Sequence, residues 1–143
     1  MSALLDTANK LAIHELLSRA AYALDEREVD MLAACFAVDA MFTMRIGGGD
    51  LVGPFESRDG IMALMTGAMA EQTDKRRHVV SNIFFPTADE PGEGLPVVSN
   101  LTLLATENGA ISLLSAGVYH DRVVQRDGQW TLLRRHLDLD KSY

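Results

Sequence analysis

The chain has 143 residues, 48% of them apolar and 23% charged, which is the size and composition of one globular domain able to bury its own core. A net charge of −7 argues against nucleic acid and against an anionic membrane surface, since both attract basic patches. Cys35 is the only cysteine, so neither an internal disulfide nor a cysteine zinc cluster can form, and its apolar helical neighbours suit a buried, inert thiol. Met1-Ser2-Ala3-Leu4-Leu5-Asp6 lacks the basic n-region and apolar stretch of a signal peptide. No stretch approaches the roughly 20 apolar residues of a membrane span, so the expected location is cytoplasmic.

In chain order, Asp6 or Thr7 can cap a first helix, because a short oxygen-bearing side chain satisfies free backbone donors. Ile13, Leu16, Leu17, Ala20 and Leu24 then form one apolar stripe, and Asp25 follows directly on it. A carboxylate in that place most often caps a helix or faces water. A second, shorter helix carries Val29, Leu32, Ala33 and Phe36. Ala40 to Arg45 has strand character, Gly47-Gly48-Gly49-Asp50 turns, and Leu51-Val52-Gly53 returns as a hairpin whose pairing Pro54 limits. Ser57 caps a third helix with Ile61, Leu64, Met65, Ala68 and Met69 on one face, where Met62, Met65 and Met69 give a deformable surface.

From residue 76 the period changes to two. His78, Val80, Asn82 and Phe84 share one strand face; Val79, Ser81, Ile83 and Phe85 share the other. Both faces are largely apolar, which suits a sheet covered by helices on one side and by a second subunit on the other. Thr87 to Leu95, with Asp89, Glu90, Pro91, Gly92 and Gly94, reads as a long loop. Pro96 to Glu107, Ile111 to Gln125 and Trp130 to Asp138 are strands joined at Asn108-Gly109 and Asp127-Gly128, both strong hairpin signals. Three early helices and a late antiparallel meander make an α+β domain spanning residues 1–143.

The four histidines are His14, His78, His120 and His136, and no pair has the short spacing of metal ligands, so no metal is expected. The glycine run is not followed by the helix or lysine of a phosphate loop, and no G-x-S-x-G elbow is present. His14 reads as a surface or edge residue. Alternation sends Tyr119 and His120 to opposite faces, and likewise separates Arg135 from Arg134 and His136. A carboxylate that orients an imidazole leaves the distal nitrogen free to act as a general base. An arginine nearby can stabilise a developing anion or hold a carboxylate. Residue types alone leave open whether Asp25, His78 and an arginine meet.

Leu24-Asp25, Val29-Asp30-Met31-Leu32, Cys35-Phe36 and Asp39-Ala40 resemble the opening of the SnoaL-like branch of the nuclear transport factor 2-like superfamily. Arg77-His78 at the head of a long strand fits that pattern, as does Tyr119-His120-Asp121-Arg122-Val123-Val124 through Asp127-Gly128-Gln129-Trp130 to Arg135. The members it is most similar to are scytalone dehydratase, bile-acid dehydratase and hexachlorocyclohexane dehydrochlorinase. The resemblance implies a cone-shaped curved antiparallel sheet whose pocket the helices close. It implies that Asp25 orients His78, that His78 removes a proton from substrate carbon, and that Arg135 assists the leaving anion. It implies no cofactor, and a homodimer or homotrimer formed through the outer sheet face. Five residues before Asp25 the pattern often offers a tyrosine or lysine, whereas this chain has Ala20; Tyr22 lies about 200° further round the helix. Tyr22, Met65, Met69, Val80, Phe84 and Tyr119 are the expected substrate contacts.

These readings favour a cofactor-independent lyase acting on a small cyclic or aromatic substrate. A polyketide cyclase or isomerase of the same branch would use the same acid–base pair. A non-catalytic binding or structural subunit is the alternative from another class. The small subunit of ring-hydroxylating dioxygenases resembles the chain in its Asp-Gly-x-Trp ending, but it is usually longer and would leave Asp25 and His78 idle.

Overall fold

The first helix, α1, spans Thr7–Asp25 in a computed structural model that describes residues 6–87 and 91–143, so Asp89, Glu90 and residues 1–5 lie outside the described residues. Asp6 is its cap, accepting the Asn9 N–H at 2.8 Å. Ile13, Leu16, Leu17, Ala20 and Ala23 face the core, and complete burial of a side chain such as Ile13 or Leu17 contributes roughly 1.5–3 kcal/mol. The helix stops where Arg27 turns left-handed at φ 58°, and the Glu28 N–H returns to the Ala23 carbonyl at 2.9 Å. This closure satisfies carbonyls the helix would otherwise strand.

A short helix α2, Val29–Ala34, follows. Phe36, expected on that helix, instead opens strand β1, Phe36–Ile46. The cause is a backbone bond: the Cys35 carbonyl accepts the Leu132 N–H at 2.8 Å and draws the chain into the sheet. Strand β2, Val52–Glu56, carries Pro54 at the sheet margin, where a missing N–H costs no ladder bond. Helix α3, Ser57–Glu71, starts at a serine whose hydroxyl accepts the Gly60 N–H at 3.2 Å, the capping contact its sequence predicts.

Strands β3 (Lys75–Phe84), β4 (Leu95–Glu107), β5 (Ala110–Arg126) and β6 (Gln129–Leu139) form the meander. Asn108-Gly109 and Asp127-Gly128 turn with positive φ at both residues of each pair, as two-residue hairpins require. The single sheet has the order β2-β1-β6-β5-β4-β3. Neighbours run antiparallel except β1 and β6, which pair in parallel, so the early hairpin joins the last strand. The sheet is not closed into a barrel, and its inner face packs Val97, Leu101, Val123, Leu132 and Leu137 into one core with α1 and α3. Among the described residues no helix is long and apolar enough to cross a membrane.

Candidate active site

Among the described residues strand β3 is a sheet margin with β4 as its only strand neighbour, so alternate backbone N–H groups point away from the ladder. The end of α1 covers that margin. Asp25 Oδ2 accepts the outward His78 N–H at 2.7 Å, while Oδ1 meets His78 Nδ1 at 2.5 Å. One carboxylate thus holds both the backbone and the ring of the same histidine. Arg77 reinforces the junction by donating to Glu26 at 2.7 Å, and Arg27 reaches the Gln72 carbonyl at 3.2 Å. The side chains of Asp25 and His78 are only 6% and 12% exposed. An ionised carboxylate can only accept, so Nδ1 carries the hydrogen, and in the neutral ring Nε2 keeps its lone pair. That is the arrangement of an oriented general base.

Arg135 lies on the inner face of β6, directly across from Asp121 on β5. Its Nε and Nη2 donate to the two Asp121 oxygens at 2.9 and 3.0 Å, and its guanidinium stacks on the Tyr119 ring at 3.8 Å. Burial pushes the Asp121 carboxyl above its ordinary value, against the pull of Arg135. For Arg135, burial opposes the charge but Asp121 and Tyr119 outweigh it, raising a group that is already protonated throughout the accessible range. The two-point geometry fixes the pair as ionised. Burial pushes the Tyr119 phenol up to about 12, so it remains a hydrogen-bond donor at neutral pH.

The dyad and Arg135 open on one cavity of about 230 Å³, whose walls include Leu24, Phe42, Leu64, Met65, Val80 and Tyr119. Asp25, His78 and Arg135, put forward by the family resemblance, line this one cavity together with Met65, Val80 and Tyr119. Tyr22 is not: it is 56% exposed, because its position on α1 turns it away from the buried stripe. Phe84 is also misassigned, being 54% exposed. Between Ser81 and Phe84 the strand carries an extra residue, since their partners Asn100 and Val98 are only two apart. That bulge inverts the alternation and sends Phe84 outward. Met69 is buried but belongs to the core rather than to the cavity wall. At 100° per residue it sits about 80° round α3 from Ile61, the margin of the apolar stripe.

Two cavity features escaped the sequence reading. Asp121 was not matched to Arg135, and Arg76 also lines the cavity, bonded to Asp74 at 3.0 Å with Tyr143 beneath its guanidinium. Arg76 shares the face of His78 two residues away, a signal that alternation does carry. A wider hollow of about 560 Å³ lies beside Cys35 and Trp130. Its charged groups Glu15 and Arg19 pair with each other at 2.8 Å, and burial pushes the Cys35 thiol up, so among the described residues this hollow holds no oriented base and no activated thiol. His120 and His136 lie on the outer sheet face, both near Asp138. His14 packs beside Phe85 at 6.1 Å.

A family model described as the SnoaL-like domain matches residues 6–136. The chain belongs to that family. Among solved structures, this SnoaL-like domain is similar to ActVI-ORFA from Streptomyces coelicolor, with a TM-score of 0.74, 22% identity, and coverage of 92% of this chain and 97% of the other. It is also similar to a candidate scytalone dehydratase from Novosphingobium aromaticivorans, with a TM-score of 0.71, 25% identity, and coverage of 92% and 84%. The β subunit of a candidate aromatic-ring-hydroxylating dioxygenase from the same organism matches with a TM-score of 0.76, 18% identity, and coverage of 92% and 89%. Comparison with curated proteins finds no significant match. In this SnoaL-like domain Ala20 does line the cavity, so the wall is bare of any polar group at that position.

Proposed function

We propose that this SnoaL-like domain is a cofactor-independent lyase, removing water or halide from a small cyclic or aromatic substrate. The observation that carries the reading is the grip of Asp25 on both the backbone N–H and Nδ1 of His78, which presents Nε2 to an enclosed cavity. Nε2 takes a proton from substrate carbon. The C–H electron pair becomes the new C=C bond as the leaving group departs with its own pair. Departing hydroxide recovers the proton from the imidazolium as water, which returns the dyad to its starting state. Arg135 supports the negative charge that develops opposite the base. A cavity of about 230 Å³ is below the usual drug-sized range of roughly 300–1,000 Å³, which favours elimination from one- or two-ring compounds over closure of a long polyketide.

The test works whichever group leaves. A panel of one- and two-ring ketones, with and without a β-hydroxyl or β-halide, is incubated in D2O and followed by proton NMR. Exchange of the α-hydrogen or elimination is expected with the parent protein and lost in His78→Ala. A panel that neither exchanges nor eliminates, or a fully active His78→Ala, would sink the lyase reading.

We also propose that the protein is a homodimer or homotrimer formed through the outer sheet face. Val79 and Phe84 on β3 and Ile111 and Leu113 on β5 are exposed there, on the two strands that flank β4. Light scattering at micromolar concentration is expected to give a multiple of the 15.6 kDa chain mass, and a monomer mass removes the proposal.

A further inference from the structure

A second chain of polar groups lies on the side of the sheet away from the cavity. Phe42, Met44, Arg135 and Leu137 line the cavity, so alternation turns Thr43 and Arg45 of β1, with Arg134, His136 and Asp138 of β6, to the outer face. The parallel register sets Thr43 directly beside His136. Thr43 Oγ1 lies 2.7 Å from His136 Nδ1, and His136 Nε2 lies 2.8 Å from Asp138 Oδ1. His120 Nε2, on β5, stands 3.5 Å from the other Asp138 oxygen. Hydroxyl, imidazole and carboxylate thus form one continuous chain.

The carboxylate sets the direction of that chain. Ionised Asp138 can only accept, so in the neutral ring Nε2 carries the hydrogen and Nδ1 keeps its lone pair. Nδ1 therefore accepts the Thr43 O–H. A hydroxyl bonded to a base that a third group orients is the arrangement of an activated nucleophile. Two exposed cations flank it: Arg45 lies two residues beyond Thr43, and Arg134 two residues before His136. Among the described residues each guanidinium donates only to a backbone carbonyl, that of Gly49 for Arg45 and that of Leu133 for Arg134. Guanidinium groups without a carboxylate, beside a nucleophile, suit a phosphate leaving group.

We propose that Thr43 is an acyl-acceptor site, modified by an acyl phosphate, with His136 as base and Asp138 as positioning residue. The site is separate from the Asp25–His78 base and does not rest on it. His136 Nδ1 takes the hydroxyl proton as Thr43 Oγ1 attacks the acyl carbon. The bond from that carbon to the phosphate oxygen breaks with its electron pair, and the phosphate takes the proton from Nδ1. The products are a threonine ester and inorganic phosphate, and the imidazole is neutral again. The His136 side chain is 26% exposed, so a small donor meets it from solvent. The apolar residues ascribed to assembly lie on β3 and the start of β5, on other strands of that face.

Acetyl phosphate is the probe, incubated with the full chain at neutral pH and followed by peptide mass spectrometry. Exposed Lys10, on α1, is the internal reference for unassisted acetylation. Hydroxylamine separates the two products, since it removes an acetyl group from oxygen and leaves one on nitrogen. The parent is expected to carry a hydroxylamine-sensitive acetyl group on Thr43. The ratio of Thr43 to Lys10 acetylation is expected to fall at least about tenfold in His136→Gln, and Thr43→Val to show no acetyl group at that position. Asp138→Asn, at a half-exposed position, no longer forces the hydrogen onto Nε2, and its ratio is expected to fall as well. A parent acetylated on lysines alone, or an unchanged ratio in either His136→Gln or Asp138→Asn, overturns the proposal.

Discussion

Asp25→Asn is expected to lower kcat by about 10²–10⁴-fold, the range that a positioned general base contributes, with a circular dichroism spectrum and melting temperature close to those of the parent. The asparagine carbonyl can still accept the His78 backbone N–H, replacing the 2.7 Å bond that holds the strand. Its amide, however, can only donate toward Nδ1, where the carboxylate now accepts at 2.5 Å. The imidazole answers by placing its hydrogen on Nε2, and the cavity then faces a donor instead of a base. Fold is kept and chemistry is lost. The readout is steady-state turnover on whichever ketone exchanges or eliminates, alongside nitrogen NMR of the His78 ring. Full activity in Asp25→Asn, with the hydrogen shown to sit on Nε2, would refute the assignment of His78 as base.

Asp121→Asn should be among the most destabilising single changes in the chain, by about 3–5 kcal/mol, because it strands the buried Arg135 charge. The carboxylate it removes is fully buried and takes two guanidinium bonds. The double variant Asp121→Leu, Arg135→Met should recover most or all of that loss. Burial raises the Asp121 carboxyl, so its own contribution to folding is largest below the ordinary carboxylate range and is lost as pH rises through the folded value. Replacing both partners with apolar side chains of similar volume leaves no buried charge stranded, and such replacements are often neutral or stabilising. Urea denaturation of the parent, Asp121→Asn and the double variant measures this. A single variant that loses less than about 1 kcal/mol would show that the pair is not the isolated buried contact described here.

Most of the scaffold is legible from local pattern. The α1 stripe, the Asp6 cap and the Asn108-Gly109 and Asp127-Gly128 turns follow from spacing and turn chemistry. Asp25 and His78 are 53 residues apart, and no periodicity joins them; only resemblance to a family did. What stayed hidden depends on strand irregularities. From the Asp127-Gly128 turn the register runs to Val123 opposite Leu132, and continued evenly it would set Asp121 against Arg134. An extra residue, Leu133, is inserted on β6 and both Leu132 and Leu133 are buried, so Asp121 meets Arg135 instead. The same kind of insertion after Ser81 turned Phe84 outward. A bulge changes parity at one point and reassigns every side chain beyond it, with little trace in composition. The parallel union of β1 with β6 is equally non-local, since it depends on where the early hairpin docks.

The bond from Asp25 to the His78 amide also bears on how the protein behaves in a crowded solution. An uncovered strand margin is a template on which another chain can add a strand, the first step toward fibrils. Here the amide at the midpoint of that margin is occupied by the same carboxylate that orients the imidazole. Solubility and reactivity are therefore linked through one side chain. Asparagine at position 25 separates the two, keeping the margin sealed while silencing the ring, whereas alanine gives up both and leaves the strand free to recruit a neighbour.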